Sequence, residues 1–375
     1  MTEGNESYER YQRQVILKEF GEAGQQKLLH SKVLVIGAGG LGCATLQYLA
    51  AAGVGNIGIV DDDVVSITNL HRQVLYDTLD IGFSKADKAT HRLVRMNPDI
   101  HVTAHNNRLT TQNALDIITL YDVVIDATDN FASRYLINDA CVLLNKPLVY
   151  GAVSQFEGQV AVFNCSDSNG RRSVNYRDLF PNPPTEGEVL NCAEAGVLGV
   201  LPGIIGTMQA NETIKLITGM GKLLINSILT YNALNNQLYE IAIPERAEGR
   251  LLIPSTMEAF KQMDYEWLCS SGNHQFEIDA AGFDDLLLTG SAEIIDVRET
   301  HELPLLTEFD YQQIPLSQLK DKMATIQSDT VILFCQSGKR SLQAAQWLFD
   351  NFGESKKIFS LQGGIIHWLN HRSTA

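Results

Sequence analysis

The sequence predicts an α/β protein: a mostly parallel sheet covered on both faces, extended by antiparallel strands, and followed by a second, smaller α/β domain. Two observations carry that prediction. From Lys32 to Tyr150, short apolar runs alternate with helix-length segments, the pattern of βαβ crossovers. From Gly158 onward the pattern changes: "GQVAVFN", "SILTYNAL" and "QLYEIAI" read as antiparallel strands around a long apolar helix, "GVLGVLPGIIGTMQANETIKLITG". At 375 residues the chain is long enough to bury two cores.

Taken in order, "KVLVI" is the first strand and runs into Gly37, Gly39 and Gly42 in G-x-G-x-x-G spacing. Such glycines allow a tight turn and close backbone approach, and the helix that follows offers free N–H groups to a phosphate. The second strand, "NIGIV", ends at Asp61, placed to accept from ribose hydroxyls. Then come the helix around Lys85 to Arg95, the strand "IHVTA", the helix "QNALDIIT", the strand "DVVIDATD", the helix "ASRYLINDACVLL" and the strand "PLVYG". The first unit is therefore Rossmann-like. A polar segment rich in Gly, Pro, Asn and Ser, "CSDSNGRRSVNYRDLFPNPPTEGEVLNC", reads as a crossing loop.

Residues from about Pro244 to Gln275 show no clear period and read as a linker; afterwards a small α/β unit starts afresh with "DAAGFDDLL", "AEIIDV", "TVILF", "SLQAAQWLFDNF" and "KIFSL". The boundaries are placed at residues 1–248 for the first domain, 249–275 for the linker and 276–375 for the second domain.

Composition excludes several classes. A formal charge of −15 argues against a nucleic-acid partner, since phosphate backbones are held by clustered Lys and Arg. No run is long and apolar enough to span a membrane, and the polar "MTEGNESYERYQRQ" lacks a signal-peptide core, so a cytoplasmic protein is expected. The six cysteines, at 43, 141, 165, 192, 269 and 335, contain no C-x-x-C pair, which leaves zinc without an obvious ligand set and argues against a disulfide framework. Cys43 and Cys141 fall on apolar helix faces and read as core packing, while Cys165 and Cys269 carry no further signal.

A glycine loop alone fits several nucleotides. The choice comes from "DDVVSITNLHRQVLYDTLDIGFSKADKA", where Asn69, Arg72, Gln73 and Lys85 supply several polyphosphate-binding groups close to the loop. Arg10 and Arg13 precede the first strand, and "DATDN" puts Asp126, Asp129 and Asn130 at the carboxyl end of the fourth, where open α/β sheets bind ligands. Asp129 is suited to hold Mg²⁺ bridging phosphates. A triphosphate, ATP, fits this set better than a dinucleotide.

In this order, "RYQRQ", "GAGGLG", "DDDVVSITNLHRQ", "GFSKADKA", "DATDN" and "CAEAGVLG" resemble the MoeB/ThiF family, bacterial relatives of the ubiquitin-activating enzymes, over about Ser7 to Ile243. The resemblance implies ATP-dependent adenylation of the C-terminal glycine of a small ubiquitin-like sulfur carrier ending in Gly-Gly, of the kind that serves molybdopterin or thiamine biosynthesis. It assigns Gly40 and Asp61 to nucleotide binding, Asn69, Arg72 and Lys85 to phosphates, and Asp129 to Mg²⁺. It also implies a homodimer, with Arg13 reaching the partner subunit's site. Family members commonly carry two C-x-x-C pairs for zinc, the first just ahead of "LFP"; here Asn175 and Asp178 stand in those places and no second pair follows Ile243, so no zinc is expected. Cys192 matches a family cysteine whose use varies between members.

The second domain carries its own chemistry. In "VILFCQSGKRSLQAAQWLF", Cys335 ends a strand and Arg340 opens a helix, so the loop N–H groups, Lys339 and Arg340 are suited to stabilise a thiolate or persulfide. With "IIDVRE" and "LQGGIIHWL", this resembles a rhodanese domain from about Phe276 onward, whose cysteine carries a transferable sulfur. Asp296 and Arg298 match its "DVR" and are expected to be structural. The implied sequence is adenylation, then attack by a Cys335 persulfide, charged by a persulfide or thiosulfate donor, to leave a thiocarboxylate, with Cys192 resolving the acyl-disulfide. The residues alone leave open an NAD-dependent oxidoreductase with a regulatory second domain, or a non-enzymatic scaffold for a ubiquitin-like protein.

Overall fold

The computed structural model describes residues 3–166, 172–181, 196–246, 250, 252–263, 265–266, 276–290, 292–300, 302, 306–336, 338–365, 368–369 and 372. Two compact units emerge, one formed by residues 1–183 and 190–268, the other chiefly by residues 269–375.

Two helices that the apolar pattern does not announce, α1 (Glu3–Val15) and α2 (Gly21–His30), precede the first strand, β1 (Lys32–Ile36). The βαβ region then runs α3 (Gly40–Ala52), β2 (Asn56–Val60), α4 (Lys85–Met96), β3 (His101–His105), α5 (Ala114–Thr119), β4 (Val123–Asp126), α6 (Phe131–Leu143) and β5 (Leu148–Ser154). These strands are parallel, and β6 (Glu157–Phe163), β7 (Ser227–Asn232) and β8 (Gln237–Ala242) extend the sheet antiparallel, in the order β3-β2-β1-β4-β5-β6-β7-β8. Both faces of the parallel half are covered, which is why Val33, Leu34, Val35, Val124 and Ile125 are all fully buried and the strands read as unbroken apolar runs.

Between β6 and β7 lie a short helix, α7 (Tyr176–Leu179), and α8 (Leu201–Thr218). The apolar run predicts a helix from about Gly196, but α8 starts at Leu201, with Pro202 in its first turn where a missing N–H costs nothing. Thr45 of α3 donates to the Gly206 carbonyl of α8 at 2.9 Å, bringing the two helices together beneath the glycine loop.

The stretch expected to be a linker holds a short helix, α9 (Met257–Lys261), and belongs in space to the first unit as far as residue 268. Phe260 and Tyr265 are buried there.

The second unit contains β9 (Glu277–Ile278), α10 (Ala280–Thr289), β10 (Glu293–Asp296), β11 (Gln312–Gln313), α11 (Leu316–Lys322), β12 (Thr330–Phe334), α12 (Lys339–Phe352) and β13 (Lys357–Leu361). Its parallel sheet has the order β11-β10-β12-β13-β9. The strands β9 and β11, of two residues each, are too short to leave a period in the sequence. One face is filled by Phe283, Phe309, Phe334 and Trp368, packed edge to face.

Candidate active sites

The carboxyl ends of β1, β2 and β4 lie side by side, with Ile36 opposite both Val60 and Asp126. Above them opens a cleft of about 320 Å³. Its floor is the glycine loop. Gly37 has φ of +96°, and a Cβ there would meet the Ala127 carbonyl oxygen at 2.6 Å; one on Gly42 would meet the Gly37 carbonyl oxygen at 2.0 Å. The turn can close against β4 only because these side chains are absent.

Asp61 pins the loop: its carboxylate accepts from the Ala38 N–H at 2.7 Å and from the Asp63 N–H at 2.9 Å. Burial pushes its pKa up, with the Lys85 charge opposing. Lys85 opens α4 because Ser84 caps that helix, accepting from the Asp87 N–H. Its ammonium, nearly buried, pairs with Asp63 at 2.8 Å, whereas the Asp63 side chain is 72% exposed. An incoming phosphate can therefore replace Asp63 on Lys85 while Asp63 stays hydrated.

On the β4 side, Asp126 is buried and accepts from the Thr128 N–H at 2.9 Å and the Thr128 hydroxyl at 2.7 Å. Burial raises its pKa, with Arg134 opposing. That turn carries Asp129 to the cleft, where the carboxylate is exposed and takes part in no hydrogen bond or ion pair among the described residues. Asn130 also lines the cleft and caps α6 by accepting from the Ser133 N–H at 2.9 Å.

Of the residues singled out from the sequence, Gly37, Gly39, Gly40, Asp61, Arg72, Gln73, Lys85, Asp129 and Asn130 converge on this cleft. Gly42 packs beneath it. Asn69 is not among the lining residues; its carbonyl accepts from the Arg72 and Gln73 N–H groups, so it shapes the turn that presents those two side chains. Gln73 is 4% exposed, and its side-chain carbonyl oxygen, buried in the cleft wall, has no partner among the described residues. Arg13 is exposed on α1, outside the cleft of its own chain. Cys192 lies outside the described residues. Two lining cations, Arg108 and Arg134, were not picked out from the sequence. Arg108 follows the carboxyl end of β3 and Arg134 lies one turn into α6, both places where the rule for ligand crevices in open sheets points.

Cys43, Cys141 and Cys165 are buried. Burial pushes the thiol of Cys43 up to about 12 and that of Cys165 up to about 11, so both are inert packing groups at neutral pH. Among the described residues, no three His, Cys, Asp or Glu side chains converge as a metal-holding group.

In the second unit, Cys335 follows β12 and is buried; the Ser341 hydroxyl donates to its Sγ at 3.6 Å. Ser341 is held in turn by the Ser360 hydroxyl at 2.9 Å. Arg298 is fixed by Asp296 at 2.8 Å, both fully buried, beneath the Phe334 ring. Arg340 opens α12 and makes a two-pronged pair with Glu302, at 2.5 and 2.6 Å. The rim of this site is thus a carboxylate–guanidinium pair.

That pair predicts a pH dependence. The Arg340 hydrogen bonds pull the Glu302 carboxyl down to about 2. A depressed carboxyl contributes stability above the unfolded value of about 4.3 and loses it as pH falls towards the folded value. With solvent screening allowed for, the contribution is about 1–2 kcal/mol. Glu302→Gln is therefore expected to destabilise the second unit at pH 7, with the gap to the parent narrowing between about pH 5 and pH 3; urea unfolding showing the same gap at both ends would contradict this.

Comparison with known proteins adds independent findings. The ThiF family matches residues 11–251, and the rhodanese-like domain matches residues 279–371. The chain is 42% identical over 374 residues to the probable adenylyltransferase/sulfurtransferase MoeZ of Mycobacterium tuberculosis, covering 97% of this chain and 93% of that protein. It is 48% identical over 265 residues to the sulfur carrier protein adenylyltransferase of Thermus thermophilus, covering 70% of this chain and 97% of that one. Among solved structures, E. coli MccB with MccA-N7isoASN shares the fold, with a TM-score of 0.56 at 20% identity over 65% of this chain and 74% of that chain.

Proposed function

The chain belongs to the ThiF family and carries a C-terminal rhodanese-like domain, and from that premise we propose that it adenylates the C-terminal glycine of a ubiquitin-like sulfur carrier and then converts that carboxylate to a thiocarboxylate. The observation that carries this reading is the cleft: Arg72, Lys85 and Asp129 converge over a glycine loop at the carboxyl ends of β1, β2 and β4. It is tested by ATP–pyrophosphate exchange, expected only when a small protein ending in Gly-Gly is present; exchange that ignores every such carrier would contradict it.

The chemistry follows from charge. A carrier carboxylate oxygen attacks the α-phosphorus of ATP, the bond to the β,γ-unit breaks, and pyrophosphate leaves with the electron pair. Two anions repel, so Arg72 and Lys85 neutralise the phosphates, and the step needs no nucleophile from the protein. Asp129, a free hard oxygen donor at the cleft, suits Mg²⁺, which needs only one or two carboxylates beside phosphate oxygens and water. When bound, Mg²⁺ would supply further neutralisation of the leaving group. The terminal sulfur of a Cys335 persulfide then attacks the acyl-adenylate carbonyl and expels AMP, giving an acyl-disulfide. A second thiol, Cys192 or an external one, attacks the Cys335 sulfur and releases the thiocarboxylate, leaving a disulfide for an external thiol reductant.

The reading includes a homodimer. Arg13 faces solvent on α1, and Val74 and Leu79, on the segment following Arg72, are 64% and 85% exposed. If Arg13 serves the partner's cleft, Arg13→Ala and Asp129→Ala are each inactive alone, but their co-expressed mixture recovers about a quarter of parental exchange, the statistical yield of one intact site in half of the dimers. A mixed dimer that stays inactive would refute the shared site.

A further inference from the structure

We propose that the buried carboxylates of Asp178 and Asp139 form a metal-free clasp that fastens the polypeptide leaving the large sheet back onto the first unit, in the place where the family resemblance implies a zinc-binding pair of cysteines. The proposal rests on the bonding of two carboxylates, each nearly or fully buried.

Asp178 lies on α7 and is 1% exposed. One of its oxygens accepts from the Asn175 N–H at 2.8 Å and from the Asn175 side-chain amide at 2.7 Å. The other accepts from the Arg246 N–H at 2.8 Å, across 68 residues of sequence, just beyond β8. The Asn175 side-chain oxygen is engaged in turn, accepting from the Arg177 N–H at 2.9 Å and from Asn138 at 3.3 Å. Structural zinc is held by four sulfur or nitrogen ligands. Here a metal would have to displace short bonds to a capped helix turn, so the donor set does not fit one.

Asp139, on α6, is fully buried and forms the second half. Arg177 donates to both of its oxygens, at 2.9 and 2.7 Å, and lies against the Tyr135 ring. The Tyr265 hydroxyl, from the segment after α9, donates to the same carboxylate at 2.9 Å. Phe260, fully buried, packs against Tyr265 with the rings tilted and their centroids 5.8 Å apart, and Gln112 donates to the Lys261 carbonyl at 3.0 Å. This buried charge pair, joined by the Tyr265 hydroxyl, ties residues 257–263 and 265–266 to the unit that carries the nucleotide cleft.

The test uses the full chain. Incubation with dipicolinate or EDTA is expected to release no stoichiometric zinc and to leave the thermal midpoint unchanged. Tyr265→Phe, which removes one hydroxyl from a site that otherwise stays packed, is expected to raise amide exchange in residues 257–266 several-fold, with exchange in α3 unaltered. Asp178→Ala is expected to lower the midpoint by on the order of 10 °C, since it strands buried donors. Release of one zinc per chain together with a fall in midpoint would overturn the proposal. So would parental exchange rates at residues 257–266 in Tyr265→Phe, an outcome readable even if Asp178→Ala fails to fold.

Discussion

Asp129→Ala and Arg72→Ala are each expected to lower carrier-dependent pyrophosphate exchange by at least about 10²–10³-fold, while leaving the fold intact. Asp129 is exposed and makes no hydrogen bond or ion pair among the described residues, so its loss removes what it offers to a ligand. Arg72 is half-buried, and its guanidinium meets only close sequence neighbours among the described residues, donating to the Thr68 carbonyl at 3.2 Å and lying 3.5 Å from His71 Nε2. Removing one cation from a site where two anions meet weakens the neutralisation that Arg72 shares with Lys85, and a 10²–10³-fold loss corresponds to a barrier about 3–4 kcal/mol higher. Circular dichroism and thermal midpoints should match the parent. Near-parental exchange in both variants would sink the assignment of the cleft.

Cys335→Ser is expected to abolish sulfur transfer from thiosulfate and leave pyrophosphate exchange at the parental rate. The hydroxyl is a near isostere for a buried thiol, so β12, the Ser341 contact and the Arg340–Glu302 pair should persist. A serine oxygen, however, cannot hold a transferable sulfur. The two activities should therefore separate cleanly: one variant blocked in adenylation, another blocked only in the sulfur step. A serine variant that still makes thiocarboxylate from thiosulfate alone, at the parental rate, would exclude Cys335 as the carrier of sulfur.

Much of this was legible in the sequence, for physical reasons that can be traced to particular residues. Strands buried on both faces leave apolar runs, and the glycines at 37 and 42 stand where backbone meets backbone, so the sheet and its loop show themselves locally. Lys85 and Asn130 were readable because helix starts have a side-chain signature, and Ser84 and Asn130 are the caps. The comparisons with MoeZ and the ThiF and rhodanese-like families bear out the fold and the paired activities.

What stayed hidden are contacts made far along the chain. Glu302 meets Arg340 across 38 residues, and Tyr265 meets Asp139 across 126. Neither leaves a period, and "NYRDLFP" reads as polar loop although Asn175, Arg177 and Asp178 are among the most buried polar side chains of the first unit. The helix α9 is five residues long, below the length at which an apolar stripe can be seen, so its segment reads as a linker. The part the Asn69 carbonyl plays in shaping the turn, accepting from the Arg72 and Gln73 N–H groups, has no signature in the sequence.

The most direct test of the account is the mass of the carrier itself. The full-length protein is incubated with ATP, Mg²⁺, thiosulfate, a thiol reductant and a small ubiquitin-like protein ending in Gly-Gly, and the carrier is analysed by intact-mass spectrometry. The account predicts replacement of the terminal carboxylate by a thiocarboxylate, dependent on ATP, absent with Asp129→Ala, and stalled at the adenylate with Cys335→Ser. Thiocarboxylate formed without ATP, or formed equally by both variants, would contradict it.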